Sequence, residues 1–164
     1  MKRVGRRILR GLIAAIGLIP GLAMAIAITV SGNWSLTIGQ GNLQGGAGSD
    51  LTSTYTSATN QATMGVSGTT SGVTWRIDIL RIDTTWDAAN LHLWVKRTNN
   101  GTSGAGTYSG GTSFLEATLV SQTFMTGSYN RTGFTLQNQI TGVSVSVVPK
   151  AYSTSIRYTL VQTN

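Results

Sequence analysis

The side chains able to do acid–base or metal chemistry are few and scattered: Asp50, Asp78, Asp83, Asp87, Glu116 and a single histidine, His92. Two carboxylates at the right separation can hydrolyse a glycosidic bond, and Asp78, Asp83 and Asp87 come nearest to such a set. Asp78, however, lies between Arg76 and Arg81, so an ion pair with a neighbour accounts for it more simply. Asp83 and Asp87 flank Thr84-Thr85-Trp86, and their oxygens would suit calcium. The spacing matches no calcium loop, and capping the turn is the simpler role. A Ser-His-Asp relay would have to use His92, which the alternation sets beside Trp94 and opposite Leu91 and Leu93, as a solvated strand residue. There is no cysteine, which removes thiol, disulfide and thiolate–metal chemistry. The reading is therefore non-enzymatic, with no catalytic, cofactor-binding or metal-ligating residues.

The remaining candidates bind rather than react. Trp86 and Trp94 are candidate stacking rings for a surface glycan, whereas Trp75 and Trp34 read as core. Gly39-x-Gly41 and Gly45-Gly46-x-Gly48 are not followed by a helix, so they are hairpin connections and not phosphate cradles. Asn33-Trp34-Ser35, Asn100-Gly101-Thr102 and Asn130-Arg131-Thr132 match the N-glycosylation pattern, which a Ser/Thr-rich chain meets by chance.

What must position these residues begins with an address. Lys2, Arg3, Arg6, Arg7 and Arg10 form a positive n-region, Gly11 to Leu22 an apolar run, and Ala23-Met24-Ala25 a small-x-small cleavage site. Residues 1–25 read as a signal peptide, with Ala25-Ile26-Ala27 offering a second cut after residue 27. The alternative is an uncleaved anchor, since Gly11 to Val30 approaches the ~20 residues that span a bilayer; Pro20-Gly21 weakens that helix. The expected location is secreted, extracellular or cell-surface, and the membrane is a partner only during export.

Cleavage changes the charge argument. The full chain is +7, but five of its 12 Lys and Arg lie in the leader and none of its five acids do. The remaining 139 residues carry about +2, with cations scattered rather than striped. Nucleic acid, which requires a clustered basic surface, is not an expected partner.

Residues 26–164 are the length of one domain. Gly, Ser and Thr make up 62 of the 164 residues and charged residues only 10%, yet apolar residues recur with the period of two that marks half-buried strands. Strands are predicted at Ile26 to Ile38, twice within Leu51 to Val66, and at Val73 to Ile82 with a bulge or face switch near Ile79-Leu80. Others are predicted at Leu91 to Thr98, Ser113 to Met125, Phe134 to Ile140, Val143 to Val147 and Tyr152 to Thr163. The fold class is all-β: one antiparallel β-sandwich, jelly-roll or immunoglobulin-like, of about eight to ten strands, preceded by a signal-peptide helix.

The segment after the leader is the assembly candidate. Ile26, Ile28 and Val30 share one face, and Trp34, Leu36 and Ile38 continue its parity beyond Ser31-Gly32. Such a strand can pair within its own domain or add to the open sheet edge of a neighbour. Repeated head to tail, the second contact builds a homopolymer. An exported, cysteine-free, Thr/Ser/Gly-rich all-β chain with an apolar strand directly after its leader resembles donor-strand pilins and biofilm-matrix fibre subunits, in composition and layout over residues 26–164. It departs from chaperone–usher pilins in lacking their disulfide, and Thr159 to Asn164 lacks their penultimate-tyrosine pattern. The resemblance implies a structural subunit of an extracellular fibre, pilus or surface layer that self-associates through its N-terminal strand. The competing expectation is a secreted carbohydrate-binding or adhesive module using Trp86 and Trp94.

Overall fold

The computed structural model describes residues 25–102 and 105–164; the leader helix and the cleavage triplet Ala23-Met24-Ala25 fall largely outside them. Ten strands run through the described residues: β1 Ala27–Ser31, β2 Thr54–Thr56, β3 Ala62–Ser67, β4 Thr74–Asp83, β5 His92–Arg97, β6 Tyr108–Gly110, β7 Leu115–Glu116, β8 Gln122–Ser128, β9 Arg131–Thr141 and β10 Thr154–Gln162. The only helical turn among them is a 3₁₀ turn at Gln40–Asn42. The chain is all-β, in two antiparallel sheets. One has the order β1-β3-β9-β5-β7, with β2 also on β9, and the other β10-β4-β8-β6.

Period-two alternation decides which residues meet. Along β4, Trp75, Ile77, Ile79 and Arg81 are buried while the residues between them are not. Along β5 the buried positions are Leu93, Val95 and Arg97. These faces join Met64 and Val66 of β3, Phe124 and Met125 of β8, and Phe134 and Leu136 of β9 in one apolar cluster, flanked by Ile156, Tyr158 and Leu160 of β10. Both sheets therefore share a core. Within the second sheet, Gly127 of β8 stands opposite Trp75 of β4 and packs directly on its ring.

Four strand expectations are corrected. The face switch near Ile79-Leu80 does not occur: β4 keeps its parity, and Arg81 takes the inward position because Asp83 and the Ala117 carbonyl satisfy its guanidinium. The irregularity lies instead on β8, where Met125 pairs with Ile77 and Thr123 with Asp78, so Phe124 and Met125 are both buried. Ser113 to Met125 is not one strand. β7 belongs to the first sheet and β8 to the second, and the crossing leaves Leu119 and Val120 exposed.

Val143 to Val147 is not a strand either. Gly142 ends β9 with φ +85° and packs so closely on the Asn90 carbonyl that a side chain has no room there. Asp50 then captures the Val145 amide and the Ser144 hydroxyl. Finally, the predicted strand from Ile26 to Ile38 stops at Ser31. Gly32 has φ +119°, and a Cβ on it would stand 2.6 Å from the Gln61 carbonyl oxygen. The chain therefore turns out of the sheet at Gly32, and Trp34 to Ile38 runs outside any strand.

Candidate functional site

The six predicted assembly residues divide into two groups at Gly32. Ile26 and Ile28 pack against the core cluster from the edge of the first sheet. β1 pairs antiparallel with β3, placing Ile28 opposite Val66 and Val30 opposite Met64. β3 is its only strand partner among the described residues. Beyond the ladder, Ser31 Oγ and Thr63 Oγ1 share a hydrogen bond of 2.8 Å, and Gln61 Nε2 donates to the Asn33 carbonyl. Of the two fates open to this strand, the monomer realises pairing within its own domain.

Trp34, Leu36 and Ile38 contribute instead to a cavity of about 990 Å³, which Val30 also touches. The sequence treated these positions as one strand, and nothing in its parity signals the change of role. Both sheets line the cavity: Leu93 from β5, Ile140 from β9, and Ile156 and Tyr158 from β10. Loops close the remainder, including Val143 to Pro149 and Trp86. Val30, Leu36, Val145 and Val148 are exposed at its mouth. Burial raises the Tyr158 hydroxyl well above the ordinary tyrosine range.

A carboxylate pins one wall. Asp50 accepts the amides of Leu51 at 2.7 Å and Val145 at 2.8 Å and the Ser144 hydroxyl at 3.1 Å. The Val145 and then the Leu51 amide hold its pKa below the ordinary carboxylate value, against a smaller opposing effect of desolvation. Leu51 also bridges to Leu43, so the glycine-rich loop between them is tied to the same wall.

The other titratable residues are engaged separately. Asp78 takes a two-pronged pair from Arg76, with Nε at 2.9 Å and Nη2 at 2.9 Å, as the sequence implied. Asp83 takes Arg81 Nε at 2.8 Å. The two lie on opposite faces of β4, so they do not form a carboxylate pair for sugar hydrolysis. Asp87 caps its loop through Asn90 Nδ2 at 2.9 Å. Among the described residues, no group of three or more His, Asp or Glu could hold a metal ion. His92 is not simply solvated: its Nδ1 lies 2.7 Å from Glu116 Oε1, on the sheet face away from the core.

The two candidate stacking rings do not converge. Trp86 lines the cavity, with Nε1 donating to the Leu91 carbonyl at 2.9 Å. Trp94 lies half-buried on the face away from the core, with Nε1 donating to Thr141 Oγ1 at 3.0 Å. Trp34, read as core, lines the cavity, while Trp75 is fully buried.

Compared with known proteins, the chain matches no family model, no curated protein and no solved structure.

Proposed function

We propose that this chain is a non-enzymatic structural subunit of an extracellular fibre, pilus or surface layer. Its two sheets form a β-sandwich of jelly-roll or immunoglobulin-like kind, and assembly proceeds when β1 of one copy pairs with β3 of the next. The observation that carries the reading is the place of β1. It is the first strand among the described residues, lies at a sheet edge and, with the adjoining Ile26, sets Ile28 against the core.

An element of this kind is exchangeable. The Ile28–Val66 and Val30–Met64 pairs are the same whichever copy supplies β1, so exchange changes connectivity without changing contacts. Gly32 is the natural hinge, because the chain already leaves the sheet there. A reciprocal exchange closes a dimer, and a sequential one propagates a filament. The apolar strand placed directly after an export leader supports the sequential form and an extracellular location.

Electron microscopy and size-exclusion chromatography of the purified chain, beside a deletion of residues 26–30, test this. Filaments from the complete chain and monomers of β-type circular dichroism from the deletion are expected. Filaments from the deletion would exclude β1 as the assembly strand.

A further inference from the structure

We propose that the cavity is a binding site for a single-chain amphiphile: a long apolar tail with an anionic head group, as in a fatty acid. The site meets the β1–β3 ladder only at Val30, and its test reads ligand binding rather than filament formation, so it can fail or succeed independently of fibre assembly. Its volume of about 990 Å³ is at the upper end of small-molecule pockets, which run to ~1,000 Å³. Its walls are aliphatic and aromatic from both sheets and from the Val143 to Pro149 loop, and burial there is the main driving force for a hydrocarbon tail.

Charge selects the head group. Lys150 is the only Lys or Arg among the lining residues, and no Asp or Glu lines the cavity. Its ammonium lies 5.0 Å from the Tyr152 ring centroid and belongs to no ion pair among the described residues. The nearby acids lie outside the lining and are held by other groups, Asp50 by the Val145 and Leu51 amides and the Ser144 hydroxyl, Asp87 by Asn90 and the Ala89 amide, but both keep their charge. Tyr152 donates to the Val148 carbonyl at 2.5 Å, which fixes the ring beneath Lys150. A carboxylate at this mouth meets one cation, Lys150, with Asp87 as the acid that acts on the same Tyr152 ring from beyond the lining.

The cavity carries its own reporters, because Trp34 and Trp86 line it while Trp75 and Trp94 do not. The experiment titrates the purified chain with 9,10-dibromostearate, which quenches indole fluorescence at close range, and with 9,10-dibromooctadecanol as the uncharged counterpart. Saturable quenching below the micelle concentration is expected, and Trp34→Phe/Trp86→Phe should abolish most of it. Lys150→Ala, at an exposed position where folding is not at stake, should weaken the acid about fivefold and leave the alcohol unchanged. Absence of saturable quenching overturns the proposal, as does quenching that survives in Trp34→Phe/Trp86→Phe. Equal loss of acid and alcohol in Lys150→Ala refutes the anionic head group. Displacement of the quencher by a peptide of residues 25–32, but not by stearate, would assign the cavity to a strand of a second copy instead.

Discussion

Ile28 of β1 lies directly opposite Val66 of β3, a residue with no solvent exposure at all. The pair closes the edge of the core, so removing Ile28 uncovers the strand position opposite Val66. Ile28→Asp places a polar group without a partner on that half-buried face, at a cost of about 1–3 kcal/mol. Thermal unfolding should show a lower Tm for Ile28→Asp, whereas Thr29→Asp, on the opposite face of β1, should stay near the parent value. Filament formation should fail in Ile28→Asp alone.

Gly127 is held glycine by packing, not by its dihedral angles. A Cβ there would sit 2.5 Å from Cη2 and Cζ2 of Trp75, and the ring cannot retreat because its Nε1 donates to the Tyr129 carbonyl at 2.9 Å. Gly127→Ala should therefore cost about 1–3 kcal/mol in urea unfolding, as overpacked cores do. Gly41→Ala, where a Cβ would meet nothing within 4 Å, is the control and should be near neutral.

Arg81 is a charge inside the core, 5% exposed, and Asp83 is its counter-ion. Removing the acid while keeping the base leaves a buried guanidinium with only the Ala117 carbonyl. Asp83→Ala should destabilise by about 1–3 kcal/mol. Arg81→Met removes the charge altogether and should cost less, because an apolar replacement of a buried pair is often tolerated. Chemical denaturation of the two variants gives the order.

Asp50 fastens the Val143 to Pro149 wall through the Val145 amide, and its pKa is lowered in the folded state. A depressed carboxylate contributes stability that is present above its unfolded value, near 3.8, and lost as pH falls through the folded value. Hydrogen exchange at the Val145 amide should show protection at neutral pH that disappears in acid below the ordinary aspartate range. Asp50→Ala should lack that protection at every pH.

β5 and β10 were legible in the sequence because their alternation is unbroken, β4 up to Ile79, and the Arg76–Asp78 pair because two residues along a strand share a face. The face switch expected near Ile79-Leu80 followed the apolar parity of Leu80 and Ile82, whereas Arg81 holds the inward position with Asp83 as its partner. Val143 to Val147 and Trp34 to Ile38 show strand periodicity yet stand outside the sheets. Each follows a glycine with positive φ, at Gly142 and Gly32, whose close contact with another segment is a tertiary fact. The cavity was illegible for the same reason, since loops distant in sequence build it together.

The most direct test of strand exchange uses the absence of native cysteine. Ala27 and Ser67 are opposite one another in the β1–β3 register and both exposed, and opposed strand positions are ~4.5–5.5 Å apart between Cα atoms, within reach of a disulfide. Ala27→Cys and Ser67→Cys chains, mixed before assembly and oxidised afterwards, should give a covalent dimer joining one of each, seen on a non-reducing gel. The double variant oxidised as a monomer should be locked and fail to polymerise. Filaments that form from the locked double variant, or a mixture that yields no crossed dimer, would contradict the account.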